Sequence, residues 1–173
     1  MTELIIVRHG ETVENTFGIC QGQTEGTLSE QGIEQNKLLA EKLKEYKIHK
    51  IYSSPLNRAF ETGNAIWKYH NKIELQKDKR LMEWNMGVLQ GQKFPKDFTI
   101  YKPISGMENL KLVQARVKSF LDEILPQHKN QTIILVSHGL TIKVLTAMLM
   151  NVSDENINDI KLMKNSSFSV LNV

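Results

Sequence analysis

The chain has 173 residues, of which 40% are hydrophobic and 24% charged, and its formal net charge is +3. These values predict one globular domain over residues 1–173, with enough apolar residues for a single core. The charge is small and the basic residues are scattered, which excludes a nucleic-acid surface and favours a small, local anion as the partner.

The sequence also bears on the compartment. Cys20 is the single cysteine, so no internal disulfide can form, and the chain fits a reducing compartment. Glu3 and Arg8 interrupt the N-terminal apolar stretch, which is unlike a signal peptide. No run approaches the ~20 apolar residues of a membrane helix. We therefore expect a cytoplasmic protein that does not associate with membranes.

Five short apolar segments are predicted to form strands. They are residues 4–7, 50–53, 73–76, 132–136 and 168–173. Segments with helical periodicity lie between them, and strands that alternate with helices predict an α/β layer fold.

Four helices are predicted from periodicity and from residues typical of helix ends. The first begins after Ser29, a favourable N-cap, and buries Leu39, Leu43 and Tyr46 on one face. The second follows Pro55. The third has the clearest apolar stripe and ends near Pro126; the stripe consists of Val113, Val117, Phe120, Leu121 and Ile124. The fourth runs from Gly139 to about Asn151.

The stretch from Gly87 to Gly106 has no clear periodicity and contains Pro95 and Pro103. Long irregular stretches in compact domains often carry function, so it is predicted to form a lid over the site. This stretch also contains Lys93, Lys96 and Lys102. These lysines either attract an anionic substrate or are ordinary solvent-exposed residues of the lid.

Two predicted strands end in the same dipeptide. The first is followed by His9-Gly10 and the fourth by His138-Gly139. Ligands of open α/β sheets bind at the carboxyl ends of the strands, so both histidines are candidates for a shared site.

Four motifs, in order along the chain, resemble those of the histidine phosphatase (phosphoglycerate mutase-like) superfamily. They are Arg8-His9-Gly10-Glu11-Thr12 with Asn15, Ser53-Ser54-Pro55-Leu56 with Arg58-Ala59 and Glu61-Thr62, Leu81-Met82-Glu83 with Gly87, and Ser137-His138-Gly139. Gln21-Gly22 and the segment from Leu28 to Gly32 extend the resemblance over nearly the whole chain. The resemblance implies a three-layer α/β/α fold with a mostly parallel central sheet.

The residue types suit phosphoryl transfer. Arginine guanidinium groups stay charged and present a planar fork to phosphate oxygens, so Arg8 and Arg58 are candidate phosphate ligands. By resemblance, His9 is the nucleophile that becomes phosphohistidine, and His138 stabilises the charge on the phosphoryl oxygens. Glu83 is, by resemblance, the acid that protonates the leaving oxygen and later the base that activates water.

The remaining contacts also rest on the resemblance. It adds Asn15, Gln21, Gly22 and Gly139 as contacts of the phosphate or leaving group. The other histidines, His49, His70 and His128, are interpreted as surface or core residues, and Cys20 as a packing residue.

The sequence departs from the family pattern at three places. Leu89-Gln90-Gly91 stands where many members have Trp-Glu-Gly, which removes a carboxylate that we expect near the pocket. Gly63 replaces a usual alanine, and Gly106-Met107-Glu108-Asn109 matches the Gly-Glu-Ser segment only in part.

We therefore predict a metal-independent phosphomonoester hydrolase without a cofactor, acting on a small phosphorylated metabolite. One alternative is a phosphoglycerate mutase, which shares every core residue. Mutases of the family typically carry a longer insertion between the positions of Glu83 and His138. A second alternative is a phosphate-ligand binding protein without turnover, which would not require the nucleophile and the acid. The physiological substrate and the oligomeric state do not follow from the sequence.

Overall fold

The computed structural model describes residues 1–173 and contains one five-stranded sheet. The strands are β1 (Glu3–Arg8), β2 (Lys50–Ser53), β3 (Leu75–Lys77), β4 (Thr132–Ser137) and β5 (Phe168–Asn172). Their order across the sheet is β3-β2-β4-β1-β5. Strand β5 runs antiparallel to β1, whereas the other neighbours are parallel.

Five α-helices accompany the sheet. They are α1 (Val13–Thr16), α2 (Glu30–Leu43), α3 (Asn57–Trp67), α4 (Leu110–Gln127) and α5 (Gly139–Leu149). Three 3-10 helices lie at Lys79–Leu81, Gly87–Leu89 and Asp154–Asp159. None of the helices combines the length and the apolar character that crossing a bilayer requires.

The central strands are apolar on both faces, because helices cover both sides of the sheet. In β1 the side chains alternate, so that Leu4 and Ile6 join the core beneath α4 and α5. Ile5 and Val7 join the second core, beneath α2 and α3. The predicted three-layer α/β/α fold with a mostly parallel sheet is confirmed.

The connections after β1 and β4 determine where a ligand can bind. The chain leaves β1 toward α2 on one face of the sheet and leaves β4 toward α5 on the other. Since β1 and β4 are neighbours, a crevice opens between their carboxyl ends, at the topological switch point of the sheet.

The predicted start of α2 is confirmed, but its buried face is shorter than expected. Ser29 Oγ accepts a hydrogen bond from the Gly32 N–H at 3.0 Å. Leu39 and Leu43 are buried, whereas Tyr46 is 39% exposed. The helix ends at Leu43 and a turn follows, so Tyr46 no longer follows the helical spacing that would bury it. The prediction for Tyr46 was wrong.

Other boundaries also differ from the predictions: β1 spans Glu3–Arg8 rather than residues 4–7, and β4 ends at Ser137, one residue later than predicted. Strand β3 begins at Leu75, because Ile73 belongs to a turn in which its carbonyl accepts from Trp67 Nε1 at 2.9 Å. Helix α5 ends at Leu149, and Asn151 adopts a positive φ of 53° just beyond it. Strand β5 ends at Asn172, one residue before the predicted end. The short helix α1, with Thr12 and Asn15 in a capping box, was not predicted.

Candidate active site

The two His-Gly dipeptides meet at the carboxyl ends of β1 and β4. Arg8 is paired with Ser137 in the sheet, and the His9 N–H donates to the Ser137 carbonyl at 3.1 Å. The ring centroids of His9 and His138 are 5.0 Å apart. The parallel register therefore brings together two histidines that are distant in the sequence.

One pocket of about 290 Å³ opens at this edge of the sheet. Eight of the predicted site residues line it: Arg8, His9, Asn15, Gln21, Gly22, Arg58, Glu83 and Gly139. His138 is fully buried next to His9. A larger groove of about 540 Å³ between α2 and α3 includes Arg58 but neither His9 nor Glu83. The smaller pocket is therefore where the candidate groups converge.

The hydrogen bond of His9 determines which ring nitrogen is free. Nδ1 lies 2.7 Å from the Gly10 carbonyl oxygen, which can only accept, so Nδ1 carries the proton. Burial, followed by the charges of Arg58 and Arg8, holds the pKa of His9 well below its usual range. His9 is therefore a neutral imidazole whose Nε2 lone pair is available for attack.

The His138 ring is held by a hydrogen bond with the Ser54 side chain. Its Nε2 lies 2.7 Å from Ser54 Oγ, which also accepts from the Leu56 N–H at 3.3 Å. Its Nδ1 is buried and has no hydrogen-bond partner. Burial, followed by the charge of Arg58, also holds the pKa of His138 well below its usual range. Donation from the Ser54 hydroxyl to Nε2 would leave Nδ1–H as a donor.

The two arginines are anchored through their terminal nitrogens. Arg58 donates to the carbonyls of Gly22 at 2.7 Å and Thr24 at 2.8 Å, and Arg8 donates to the Met163 carbonyl. Each arginine retains a buried Nε without a partner. Burial lowers the pKa of both groups, but an arginine remains charged at neutral pH.

Buried polar atoms are almost always hydrogen-bonded, so a cluster of exceptions needs an explanation. Five buried side-chain atoms have no partner: three nitrogens, Nε of Arg8, Nε of Arg58 and Nδ1 of His138, and the amide oxygens of Gln21 and Gln35. The three nitrogens belong to residues around His9, and a phosphoryl group would supply oxygen acceptors for them. The geometry therefore suits an anion beside the His9 ring.

Glu83 is positioned by the N-terminus of α5. Its carboxylate accepts from the Thr141 N–H at 3.0 Å and the Leu140 N–H at 3.2 Å. The Trp84 N–H also donates to it at 2.9 Å, and the Thr141 hydroxyl is shared between Glu83 at 3.1 Å and the Met82 carbonyl at 2.9 Å. These donors orient a carboxyl group at the wall of the pocket, where it can exchange a proton with a bound oxygen.

Arg116 lies behind Glu83 and was missed by the sequence analysis. It donates to the carbonyls of Arg80 at 2.7 Å, Met82 at 2.9 Å and Glu83 at 3.3 Å. It also donates to both carboxylate oxygens of Glu108, at 3.0 and 3.2 Å. The partly matched motif around Glu108 was the only signal for this ion pair.

Two further residues outside the predicted set brace the His9 loop. Asn165 Nδ2 donates to the His9 carbonyl at 3.1 Å and to Asn15 Oδ1 at 3.2 Å. Thr62 Oγ1 accepts from the Gly10 N–H at 2.9 Å and donates to the Arg58 carbonyl at 2.8 Å. Thr62 belongs to one of the four sequence motifs but was not predicted as a site residue, and no local pattern marks Asn165.

The loop residues of the pocket have mainly bracing contacts. Gln21 donates through Nε2 to Thr12 Oγ1 at 2.8 Å. Gly22 has a φ of +53°, and a Cβ there would collide with the side chain of Gln90. Gln90 Oε1 accepts from the Gln23 N–H at 2.8 Å and the Met86 N–H at 3.3 Å, and Gln90 does not line the pocket. We expected Gln90, which stands where many family members have glutamate, to remove a carboxylate near the pocket. We correct that expectation, because the Gln90 amide binds backbone N–H groups instead.

The residues interpreted as structural have structural surroundings. Cys20 is fully buried in the core, and burial raises the pKa of its thiol to about 11. His49, His70 and His128 form hydrogen bonds away from the pocket, with Thr132, Leu43 and Tyr52 respectively. No group of three or more His, Cys, Asp or Glu side chains is arranged to hold a metal ion.

Comparisons with known proteins agree with this geometry. The family model described as histidine phosphatase superfamily (branch 1) matches residues 4–173. Phosphoserine phosphatase 1 of Hydrogenobacter thermophilus is 37% identical over 165 residues, which cover 88% of this chain and 78% of that protein. The probable phosphoglycerate mutase GpmB of Yersinia pestis is 31% identical, over 87% of this chain and 75% of that protein.

A solved structure extends the similarity to the fold. The mycobacterial glucosyl-3-phosphoglycerate phosphatase, solved in complex with VO3, has a TM-score of 0.91 and 27% identity, covering 98% of this chain and 90% of that one. The ordered motifs, the paired histidines and the family match lead to one conclusion. The chain belongs to the histidine phosphatase superfamily.

Proposed function

We propose that the protein is a metal-independent phosphomonoester hydrolase that acts through phospho-His9 on a small phosphorylated metabolite. One observation carries the proposal: the neutral His9 ring is surrounded by three unpartnered buried groups, from Arg8, Arg58 and His138. Two guanidinium charges then provide the electrostatic stabilisation that metal ions provide in other phosphoryl-transfer enzymes.

In the first step, the Nε2 lone pair of His9 forms a bond to phosphorus while the bond from phosphorus to the ester oxygen breaks. Protonated Glu83 gives its proton to that oxygen, so the alcohol leaves neutral. The two arginines and His138 donate to the phosphoryl oxygens, which hold the developing charge. The products are the free alcohol and phosphohistidine.

In the second step, Glu83 is a carboxylate and takes a proton from a water molecule. The water oxygen forms a bond to phosphorus as the bond between phosphorus and Nε2 breaks. Phosphate is released, and His9 and protonated Glu83 are restored. The three backbone N–H donors and the shared Thr141 hydroxyl that orient the Glu83 carboxylate support its role in this step.

The mutase alternative is favoured by relatives such as the probable phosphoglycerate mutase of Yersinia pestis. In a mutase the phosphoryl group returns to a second hydroxyl of the ligand instead of passing to water. We favour hydrolysis because the unpartnered donors form one cluster, enough for a single phosphoryl group. A non-catalytic binding protein would have no use for the free Nε2 of His9.

Three further points belong to the proposal. Residues 1–173 act as one catalytic domain, and the stretch from Gly87 to Gly106 covers the pocket, to which it contributes Phe94 and Phe98. The names of the relatives make phosphoserine and phosphoglycerate the first metabolites to assay. The buried free thiol of Cys20 fits a cytoplasmic enzyme.

The test is phosphate release from p-nitrophenyl phosphate in excess EDTA, with acid-stable and acid-labile radiolabel on the protein measured in parallel. His9→Ala is expected to lose turnover by at least about 10⁴-fold and to lose the acid-labile label. His70→Ala is the matched control, because His70 lies outside the pocket. Turnover that persists in His9→Ala would refute the phosphohistidine mechanism. Isomerised 3-phosphoglycerate without phosphate release would establish the mutase.

A further inference from the structure

The walls of the pocket differ sharply between its two ends. The phosphoryl end is lined by Arg8, His9, Arg58 and Glu83. The rest of the wall has six apolar side chains against two polar ones, Asn15 and Gln21, together with Gly22 and Gly139. The apolar side chains are Ile19, Met86, Phe94, Phe98, Leu140 and Leu162. The part of a substrate that extends beyond the phosphoryl group therefore contacts mainly hydrocarbon.

No cation is available for a second anionic group of the substrate. Arg8 and Arg58 are the only cationic side chains other than histidine that line the pocket, and both are directed at the phosphoryl end by their carbonyl anchors. The lysines at 93, 96 and 102 do not line it, and Lys102 is paired with Asp97 at 2.8 Å. A carboxylate or second phosphate would be desolvated there without a partner, at a high cost.

The apolar wall also has a shape that suits a ring. Phe94 and Phe98 are stacked edge to face, with centroids 5.1 Å apart, and Phe94 is 44% exposed although it borders the pocket. An aromatic or cyclic group inserted beside the pair would cover exposed hydrocarbon. The volume of about 290 Å³ is at the lower end for ligand pockets, which suits a phosphoryl group with one ring-sized substituent.

From this wall we infer that the enzyme selects phosphomonoesters of uncharged, apolar, ring-sized alcohols over esters that carry a carboxylate or a second phosphate. The inference rests on the proposed phosphatase function and adds its substrate class. It predicts that the substrates named for the relatives are poor ones here.

The test compares esters that all release a primary alcohol, so that their leaving groups differ little in chemical reactivity. The esters are benzyl phosphate, ethyl phosphate and O-phosphoserine, with kcat/KM measured for each. Benzyl phosphate is expected to exceed ethyl phosphate by about 30-fold, the equivalent of burying one aromatic ring. It is expected to exceed phosphoserine by at least about 100-fold.

Variants connect the preference to the wall. Phe98→Ala should lower the ratio of benzyl to ethyl phosphate by about 10-fold, because the ring loses one apolar neighbour. Phe98→Arg should lower that ratio too and should raise kcat/KM for phosphoserine and 3-phosphoglycerate, since it introduces the missing cation. Phe60→Ala is the matched control: Phe60 lies on α3, against Lys77 and outside the pocket, and its loss should leave every ratio unchanged.

The outcomes separate this inference from the proposed function. If p-nitrophenyl phosphate is hydrolysed through His9 but phosphoserine equals or exceeds benzyl phosphate, the substrate class is wrong and the phosphatase mechanism stands. If no ester is hydrolysed and His9 takes no label, the proposed function fails and the inference fails with it.

Discussion

Arg116 offers the most informative perturbation, because it touches no substrate and yet fixes the backbone on which Glu83 is carried. It contributes five hydrogen bonds, three to carbonyls of residues 80–83 and two to Glu108. Glu108 in turn accepts from the Asn85 N–H at 2.7 Å. We predict that Arg116→Met displaces Glu83 and so impairs proton transfer to the leaving oxygen.

The expected magnitude follows from these contacts. A general acid typically contributes 10²- to 10⁴-fold, and a displacement of about 1 Å can cost roughly 100-fold, so kcat on phenyl phosphate should fall by about 10- to 100-fold. Stability should fall by about 3 kcal/mol, because the Arg116 and Glu108 side chains are only 15% and 18% exposed and the carboxylate loses its partner.

The assay is a comparison of two leaving groups. Phenyl phosphate needs the acid, whereas p-nitrophenyl phosphate releases a stabilised anion and needs it less. Arg116→Met should therefore increase the ratio of kcat on p-nitrophenyl phosphate to kcat on phenyl phosphate. Arg80→Met is the matched control, because the Arg80 side chain binds Asp78 and Glu123 and does not contact Glu83.

A second variant distinguishes the loss of Glu83 positioning from simple unfolding. Glu108→Gln combined with Arg116→Met removes the unpaired carboxylate and should recover part of the stability while the altered leaving-group ratio remains. Equal losses on both esters, in either variant, would refute the argument that Arg116 acts by positioning Glu83.

Two other predictions concern stability. Burial first, and the charge of Arg58 next, lower the pKa of His9 and His138, so below about pH 6.5 the unfolded chain binds more protons than the folded chain. The stability that depends on these neutral imidazoles is fully present above that pH and falls on acidification by about 1.4 kcal/mol per pH unit for each imidazole that stays neutral in the folded protein. Urea unfolding between about pH 7.5 and pH 5.5 should show that the free energy of unfolding changes less steeply with pH in His9→Gln than in the wild type. Identical slopes would contradict this prediction. Gly32→Ala should destabilise by about 1 to 3 kcal/mol despite the gain in helix propensity, because a Cβ there would overlap the Glu11 backbone. Gly63→Ala should stay within about 1 kcal/mol of the wild type, because its Cβ would meet the end of the Leu75 side chain at 3.3 Å and the Ser53 side chain at an ordinary contact distance of 3.5 Å. Thermal unfolding of the pair checks this, and equal losses would show that close packing at Gly32 is not the cause.

The sequence predicted the parts of the molecule that have a local pattern. Strands with apolar side chains on both faces and helices with an apolar stripe repeat at fixed periods, and so the α/β fold could be inferred. The two His-Gly dipeptides followed such strands, and their position alone located a candidate site at one sheet edge. Where the local pattern stopped, at Tyr46, extrapolating the helix was wrong, since a turn replaces it after Leu43.

By itself, then, the sequence determined the layer architecture and the candidate groups of the site, because both depend on residue type and short-range spacing. Only the tertiary structure decided the protonation, the orientation and the free hydrogen-bond donors of those groups. The proton of His9 on Nδ1 depends on a carbonyl, the orientation of Glu83 depends on α5 and Arg116, and the free donors depend on what their neighbours leave unbound. Most of these contacts join residues far apart in the chain, and no periodicity or motif encodes them.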